Sequence, residues 1–461
     1  MVKFTARRST PELVAPARPT PRETKILSDV DDCYDLRFYS IGVEFLRCRP
    51  NGRPRTSPAK AVKAALAEAL VYYYPIAGRL REVPGNKLVV DCTGEGAVFV
   101  EASADVALEE FGHPPLRPPY PCVEELFCDA GDTKVVVGKP LFFIQVTEFI
   151  GGGFVLAFQA CHSIVDGFGL IQFIKSIADL ARGEVQPAVL PVWERQILMA
   201  RTPPRITNID PAYTPVLTGS EYDVDATVND VMLSTTVESM VHKYLLFSAR
   251  EITHLRGYIF PSDLTKSATA FELLTAVMWR CRTIALGYEI DTKVRLIFTL
   301  NARGRWKGDF PIPRGYYGNA LVYTIAETTV GDLFTKPLGH TVELIRKAKT
   351  DMSLERMRSM VDMMALLRGR PTLPAQQVYW VSDISQIGDD TVDFGWAEWV
   401  GGGMPVPKLS SFHTRCKDGH GEESVTVSIL LPGLVMDKFA KEIASWLNKD
   451  NGGNYFTPSS L

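Results

Sequence analysis

From Phe154 to Ala160 every position but Gln159 is apolar, and glycines at 151–153 bound the run, which is too short for a helix. That pattern predicts a strand buried on both faces. Leu141 to Glu148 is a second apolar run, and the intervening Ile150-Gly-Gly-Gly153 predicts a hairpin. At the end of the second strand the polarity changes abruptly, to His162, Asp166, Gly167 and Gly169, before helical spacing begins at Leu170, Ile171, Ile174, Ile177, Ala178 and Ala181. Gly183 closes that helix as its C-cap.

Elsewhere the periodicities predict a chain of mixed strands and helices. Phe38, Ser40, Gly42 and Glu44 alternate with Tyr39, Ile41, Val43 and Phe45, so the two sets are expected on opposite faces of a strand. Ser57-Pro58 opens a helix whose core face is Val62, Leu66, Ala69, Leu70 and Tyr73, ended by Pro75 and Gly78. Lys87 to Val90 and Ala97 to Glu101 read as two strands joined across Cys92-Thr-Gly-Glu-Gly96, and 111–140 as mostly loop. From 186 to 240 the periodicity fades into proline-rich and then acidic sequence, which is expected to be a crossover between domains at 1–185 and 241–461.

The second half repeats the vocabulary of the first. Ser248 caps a short helix; Phe271, Leu274, Met278 and Cys281 mark a longer one; Val294 to Leu300 is an apolar strand ending in the polar Asn301-Ala-Arg303. A turn-rich loop at 311–319, one charged helix over 330–368, strands at Val378 to Ser382 and Ser424 to Leu431, and a helix carrying Met436, Phe439, Ile443 and Trp446 follow. Two comparable halves of this kind predict an α/β fold of two layered domains.

Composition narrows the partners. With 461 residues, 46% of them hydrophobic, and a net charge of −3, the chain can bury large cores and carries no basic excess that would call for nucleic acid. No run of about 18 uncharged apolar residues occurs, and Met1 to Leu13 lacks the apolar core of a secretory signal, so a soluble, cytoplasmic protein without membrane insertion is expected. The final Ser459-Ser-Leu461 matches a peroxisomal address only loosely. Eight cysteines stand singly, without Cys-x-x-Cys pairs, and read as reduced thiols rather than zinc ligands or disulfides.

The candidate chemistry sits where the buried strand ends. An imidazole with an ordinary pKa near ~6.5 is largely uncharged at neutral pH and can take a proton. Of the seven histidines only His162 has an aspartate four residues on, a spacing that is weak evidence alone and gains from the strand and glycines around it. Cys161 is adjacent, but strand neighbours point to opposite faces, so it reads as core. A Gly-x-Ser-x-Gly elbow is missing.

The motif His162-Ser-Ile-Val-Asp166-Gly, followed some 230 residues later by Asp393-Phe-Gly-Trp396, resembles the BAHD acyl-CoA-dependent acyltransferases of plants. Four further blocks carry the resemblance across the chain: Tyr73-Tyr-Pro-Ile-Ala-Gly-Arg79, Cys92-Thr-Gly-Glu-Gly-Ala97, Leu180-Ala-Arg-Gly-Glu184 and Gly315-Tyr-Tyr-Gly-Asn319. They are most similar to the group holding taxane acyltransferases, benzyl alcohol benzoyltransferases and hydroxycinnamoyl-CoA:monolignol transferases.

The resemblance implies two chloramphenicol-acetyltransferase-like domains with a solvent channel between them, part of 390–420 packing with the first. It implies acyl-CoA as co-substrate with no bound cofactor, a small alcohol as acceptor, and a monomer. His162 would deprotonate the alcohol; Asp166 would pair with Arg303 and fix the loop; Asp393, Phe394, Gly395 and Trp396 would be structural. Ser382 would face the tetrahedral oxyanion, and Thr269 would line the CoA passage at a helix N-terminus. Ala397 departs from the family's usual glycine. The donor expected from the subgroup is p-coumaroyl-CoA or another hydroxycinnamoyl-CoA and the acceptor a monolignol. Benzoyl or acetyl donors, a catalytically silent acyl-CoA binder and another His-x-x-x-Asp family are the alternatives, the last disfavoured by the Asp393 motif.

Overall fold

A computed structural model describes residues 3–447 except 51–55, 113, 115, 214–215, 218–229, 260–261, 307, 375, 407–409 and 419–420. The terminal Ser459-Ser-Leu461 and much of the acidic part of the crossover lie outside the described residues.

Two large mixed sheets dominate. Across the first, the order is Arg7–Arg8, Ala97–Ala107, Phe142–Ile150, Gly153–Cys161, Tyr39–Cys48 and Ala397–Gly403, with Glu12–Val14 also on Ala97–Ala107. Across the second it is Met240–Ser248, Glu423–Pro432, Ser411–Lys417, Val378–Asp383, Lys293–Asn301 and Leu321–Thr329. A three-stranded sheet joins Thr24–Ile26, Lys87–Asp91 and Arg79–Val83.

The Gly153–Cys161 strand shows why its sequence is so uniformly apolar. Phe154, Leu156, Phe158 and Ala160 enter a core shared with Leu66 and Leu70 of the helix Pro58–Tyr72 and Phe173 and Ile174 of the helix Gly167–Ala181. The alternate residues Val155 and Ala157 enter a smaller core with Val43, Phe45, Tyr120 and Phe149 on the other face. Gln159 is tolerated because its amide nitrogen donates to the Cys128 carbonyl (2.6 Å). Gly151 and Gly152 turn the hairpin with φ of +85° and +99°, a conformation costly to any side chain.

Several expectations change. Phe142–Ile150 and Gly153–Cys161 pair as a hairpin, but Lys87–Asp91 and Ala97–Ala107 belong to different sheets, and Arg79–Val83 is a strand beside the former. The Tyr39–Cys48 strand is central, flanked by Gly153–Cys161 and Ala397–Gly403, so Ser40, Gly42 and Glu44 do not meet bulk solvent but turn into a cavity. The single charged helix over 330–368 is three helices, Val330–Thr335, Leu338–Asp351 and Leu354–Leu366, interrupted at Pro337 and at Ser353, whose hydroxyl caps the last. Within the crossover Arg195, Leu198, Ala212 and Tyr213 are buried.

The halves interlock. Ala397–Gly403, far along the chain, forms the edge of the first sheet by pairing with Tyr39–Cys48. Ala397 pairs with Cys48 there and is absent from the non-glycine residues with positive φ, so a methyl group costs nothing in backbone strain.

Candidate functional site

His162 leaves the first sheet at the end of its central hairpin: its backbone N–H bonds the Phe38 carbonyl (2.8 Å), and its ring lies 5.1 Å from that of Phe38. Its side chain faces a cavity of about 120 Å³ that is partly open to solvent. Phe158, Phe168 and Phe412 give that cavity apolar walls, and Ser382 reaches it from the second sheet.

The imidazole is held by Asn319, which comes from the Gly315-Tyr-Tyr-Gly-Asn319 loop. Asn319 Nδ2 donates to Asp31 Oδ1 (2.8 Å) and to the carbonyl of His162 (2.7 Å). The amide is thereby oriented with its oxygen toward His162, 3.1 Å from Nδ1. An amide oxygen only accepts, so Nδ1 carries the proton and Nε2 keeps its lone pair. Burial, the largest influence, lowers the imidazole pKa below its ordinary 6.5 against the weaker opposing pull of Asp166. The ring is therefore an uncharged base of fixed tautomer.

Asp31 is itself anchored. Its Oδ2 accepts from the Ser28 hydroxyl (2.7 Å) and pairs with Arg195 Nε (3.1 Å), and the Arg195 guanidinium, fully buried, stacks over Trp193 at 4.2 Å. Arg195 Nη2 also donates to the Ile164 carbonyl inside the motif (2.8 Å). The chain of contacts Arg195, Asp31, Asn319, His162 ties the crossover, the N-terminal segment and the loop at 315–319 to one ring.

Asp166 does not touch the cavity. It caps the following helix, accepting from Gly169 N–H (2.9 Å), and accepts from Ala320 N–H (3.0 Å). Arg303 grips it with two bonds, Nη1 to Oδ2 at 2.7 Å and Nη2 to Oδ1 at 3.1 Å, while Nη2 also reaches the Gly318 carbonyl (2.6 Å). A carboxylate with four donors and 1% exposure is a structural clamp between the motif and the second half. The glycines around it are required by close approach. A Cβ on Gly169 would stand 1.9 Å from the Tyr317 carbonyl oxygen, and one on Gly318 1.4 Å from Arg195 Nη1.

Asp393-Phe-Gly-Trp396 lies beyond the cavity. Trp396 stacks on Phe154 at 5.4 Å and Phe394 meets it edge-on at 6.0 Å, both in the core of the first sheet, and Trp396 Nε1 donates to the Ala181 carbonyl (3.2 Å). Asp393 accepts from Gly395 N–H (2.9 Å), holding Gly395 at φ +72°, and pairs with Arg49 (3.3 Å). Thr269 is not brought to the cavity wall. It is exposed, and its hydroxyl caps the helix Ala270–Leu286 by accepting from Glu272 N–H (3.1 Å), while Glu272 returns the bond and pairs with Arg346 and Lys349. That carboxylate already occupies the positive end of the helix.

Cys161, beside the histidine, is fully buried and its thiol is pushed up to about 12, so it offers no thiolate. Among the described residues no cluster of His, Cys, Asp and Glu could hold a metal ion, and no helix is long and apolar enough to cross a membrane. The roles of Asn319, Asp31 and Arg195 are not legible in the sequence; Asn319 stands only at the end of a block noted for its resemblance. Glu44 lies on the face shared with Ser40 and Gly42, as the alternation expects, and that face lines the cavity.

A transferase family model matches residues 3–445. The chain is 53% identical to "Acyl transferase 1" of Oryza sativa subsp. japonica over the whole of both chains. It is 50% identical to "Spermidine hydroxycinnamoyltransferase 1" of the same organism, covering 90% of this chain and 93% of that one. It is 44% identical to "Benzyl alcohol O-benzoyltransferase" of Nicotiana tabacum, covering 97% and 95%. The fold is similar to that of vinorine synthase, with a TM-score of 0.72 at 19% identity over 96% of this chain and 98% of that one.

Proposed function

The chain belongs to the BAHD acyl-CoA-dependent acyltransferases, and on that premise we propose that it transfers an aromatic acyl group, p-coumaroyl or another hydroxycinnamoyl, from CoA to the hydroxyl of a small alcohol such as a monolignol. One observation carries this reading: an uncharged imidazole whose Nδ1–H is committed to Asn319, standing in a cavity walled by phenylalanines. Nε2 takes the proton as the acceptor oxygen attacks the thioester carbonyl, and returns it to the leaving sulfur. Both substrates are present together, and no acyl-enzyme forms.

Ser382 is the donor to the oxyanion, supported by its place on the wall opposite the first sheet, and such a bond is worth about 10² in rate. Aromatic rings in the wall favour a flat acyl group over acetyl. Action as a monomer in the cytoplasm belongs to the same proposal. The test is free-thiol release from p-coumaroyl-CoA, benzoyl-CoA and acetyl-CoA with a panel of alcohols, using His162→Ala as control. Hydroxycinnamoyl transfer to a monolignol should lead the panel, and equal release by the variant would contradict the reading.

A second acceptor chemistry has its own support. An amine can replace the alcohol in the same geometry, one relative is named for a spermidine acceptor, and the cavity wall is acidic.

A further inference from the structure

Two substrates have to meet beside His162, yet the cavity there has a volume of only about 120 Å³. A site that buries one small molecule usually offers roughly 300 to 1,000 Å³. Two neighbouring spaces could extend it. Beyond Met404 and Phe412 lies a pocket of about 10 Å³, at the lower limit for a single water molecule, so opening that wall gains little. Beyond Phe168, Ile171 and Ile387 lies a groove of about 250 Å³ along the helix Gly167–Ala181. These three side chains line both spaces and form the partition between them.

The partition has a fixed side and a movable one. Phe168 and Ile171 belong to the start of that helix, which is held by the Asp166 cap and by the close seat of Gly169 on Tyr317. Ile387 comes instead from the connection between the strand Val378–Asp383 and Asp393. Its N–H bonds the Ile384 carbonyl (3.3 Å), Ser385 N–H bonds Asp383 Oδ1 (3.0 Å), and the Thr391 hydroxyl donates to the Gly388 carbonyl (2.9 Å). These bonds are local, so Ile387 can shift without breaking a sheet. Against the helix the connection rests by contact: a Cβ on Gly167 would be 3.5 Å from Ile387 Cγ2, and one on Gly388 would be 3.0 Å from Lys175 Nζ.

Ile387 is half-buried and shares the cavity with Ser382, the donor to the oxyanion, and with Phe158 and Phe412, two of the rings that favour a flat acyl group. A β-branched side chain is stiff at χ1, so the barrier it makes is steric and well defined.

We propose that Ile387 determines which acyl groups are accepted, by closing the acyl side of the cavity against the groove, and that a more heavily substituted aromatic ring enters the groove once this side chain is cut back. The proposal rests on acyl transfer at His162 in this same cavity and narrows its donor to hydroxycinnamoyl groups without bulky ring substituents.

The experiment compares p-coumaroyl-CoA with its 3,5-dimethoxylated counterpart as donors to one monolignol. The proteins are wild type, Ile387→Ala, Ile387→Trp and a double variant that adds Val189→Trp to Ile387→Ala, because Val189 lines the groove and a larger ring there refills it. Ile387→Ala should raise the dimethoxylated-to-p-coumaroyl ratio of kcat/KM roughly 10-fold or more, and Ile387→Trp should lower it. The double variant should return the ratio close to the wild-type value. A ratio unchanged in both single variants overturns the proposal, and so does a ratio that stays raised in the double variant, since the larger ring would then not use the groove. Absence of thiol release from either donor in wild type overturns the proposed function instead. Calorimetric titration of the two acyl-CoAs into wild type and Ile387→Ala then still decides the partition: an unchanged relative affinity contradicts it, and a gain for the larger donor supports it. Ile387→Val serves if Ile387→Ala fails to fold, which a thermal melt shows.

Discussion

Nδ1 of His162 and Oδ1 of Asn319 stand 3.1 Å apart, and because the Asn319 amide nitrogen is spent on Asp31 and on the His162 carbonyl, the amide cannot turn to offer a donor instead. That contact fixes which ring nitrogen faces substrate. Replacing Asn319 by Ala should lower kcat roughly 10- to 100-fold while leaving KM for acyl-CoA within about threefold, since the tautomer and ring angle are lost but the walls remain. Steady-state kinetics on both substrates check this, and a change confined to KM would contradict it.

Asp166 should behave differently from the base it neighbours. Removing a carboxylate that accepts four bonds, one pair from Arg303, leaves a partly buried guanidinium uncompensated, and Asp166→Ala is expected to cost about 3 to 5 kcal/mol of stability along with activity. Urea unfolding measures it. A stable, fully active variant would remove the clamp role.

The two close-packed glycines make a sharper test of the geometry. Gly169→Ala and Gly318→Ala each force a methyl into occupied space and should destabilise by about 1 to 3 kcal/mol or more, whereas Gly308→Ala, with nothing near its added Cβ, should stay within about 0.5 kcal/mol. Thermal or urea melts of the three variants suffice.

Thr269→Ala should appear in stability rather than in substrate binding. Losing an N-cap bond costs about 1 kcal/mol, and the capping box with Glu272 is what the residue makes here. A raised KM for acyl-CoA at unchanged stability would return Thr269 to the donor passage.

What could be read in advance followed from local physics. The Gly153–Cys161 strand was legible because both its faces are buried, so its composition needed no knowledge of partners, and the switch to His162 marked its polar end. The Asp166–Arg303 contact, 137 residues apart, was reached only through resemblance. Asn319 was legible only as the end of a block noted for resemblance, because nothing local in the sequence says that it meets a histidine 157 residues earlier. Alternation in 38–45 separates the two faces of the strand but does not say what each face meets, and the cavity opposite Glu44 is a tertiary fact. The membership of Ala397–Gly403 in the first sheet is likewise a tertiary fact, invisible to periodicity. Pro337 and Ser353 could have divided the long charged helix, since both residue types mark helix starts.

Base catalysis by His162 is tested most directly by the pH dependence of kcat/KM for thiol release, measured beside His162→Ala. The base works uncharged, so activity should fall as pH drops through its pKa, and because burial lowers that pKa the acid limb should lie below 6.5 in the wild type. The variant should lose about 10² to 10⁴ in rate and the limb with it. A limb centred above 6.5, or a variant that keeps wild-type release, would contradict the mechanism.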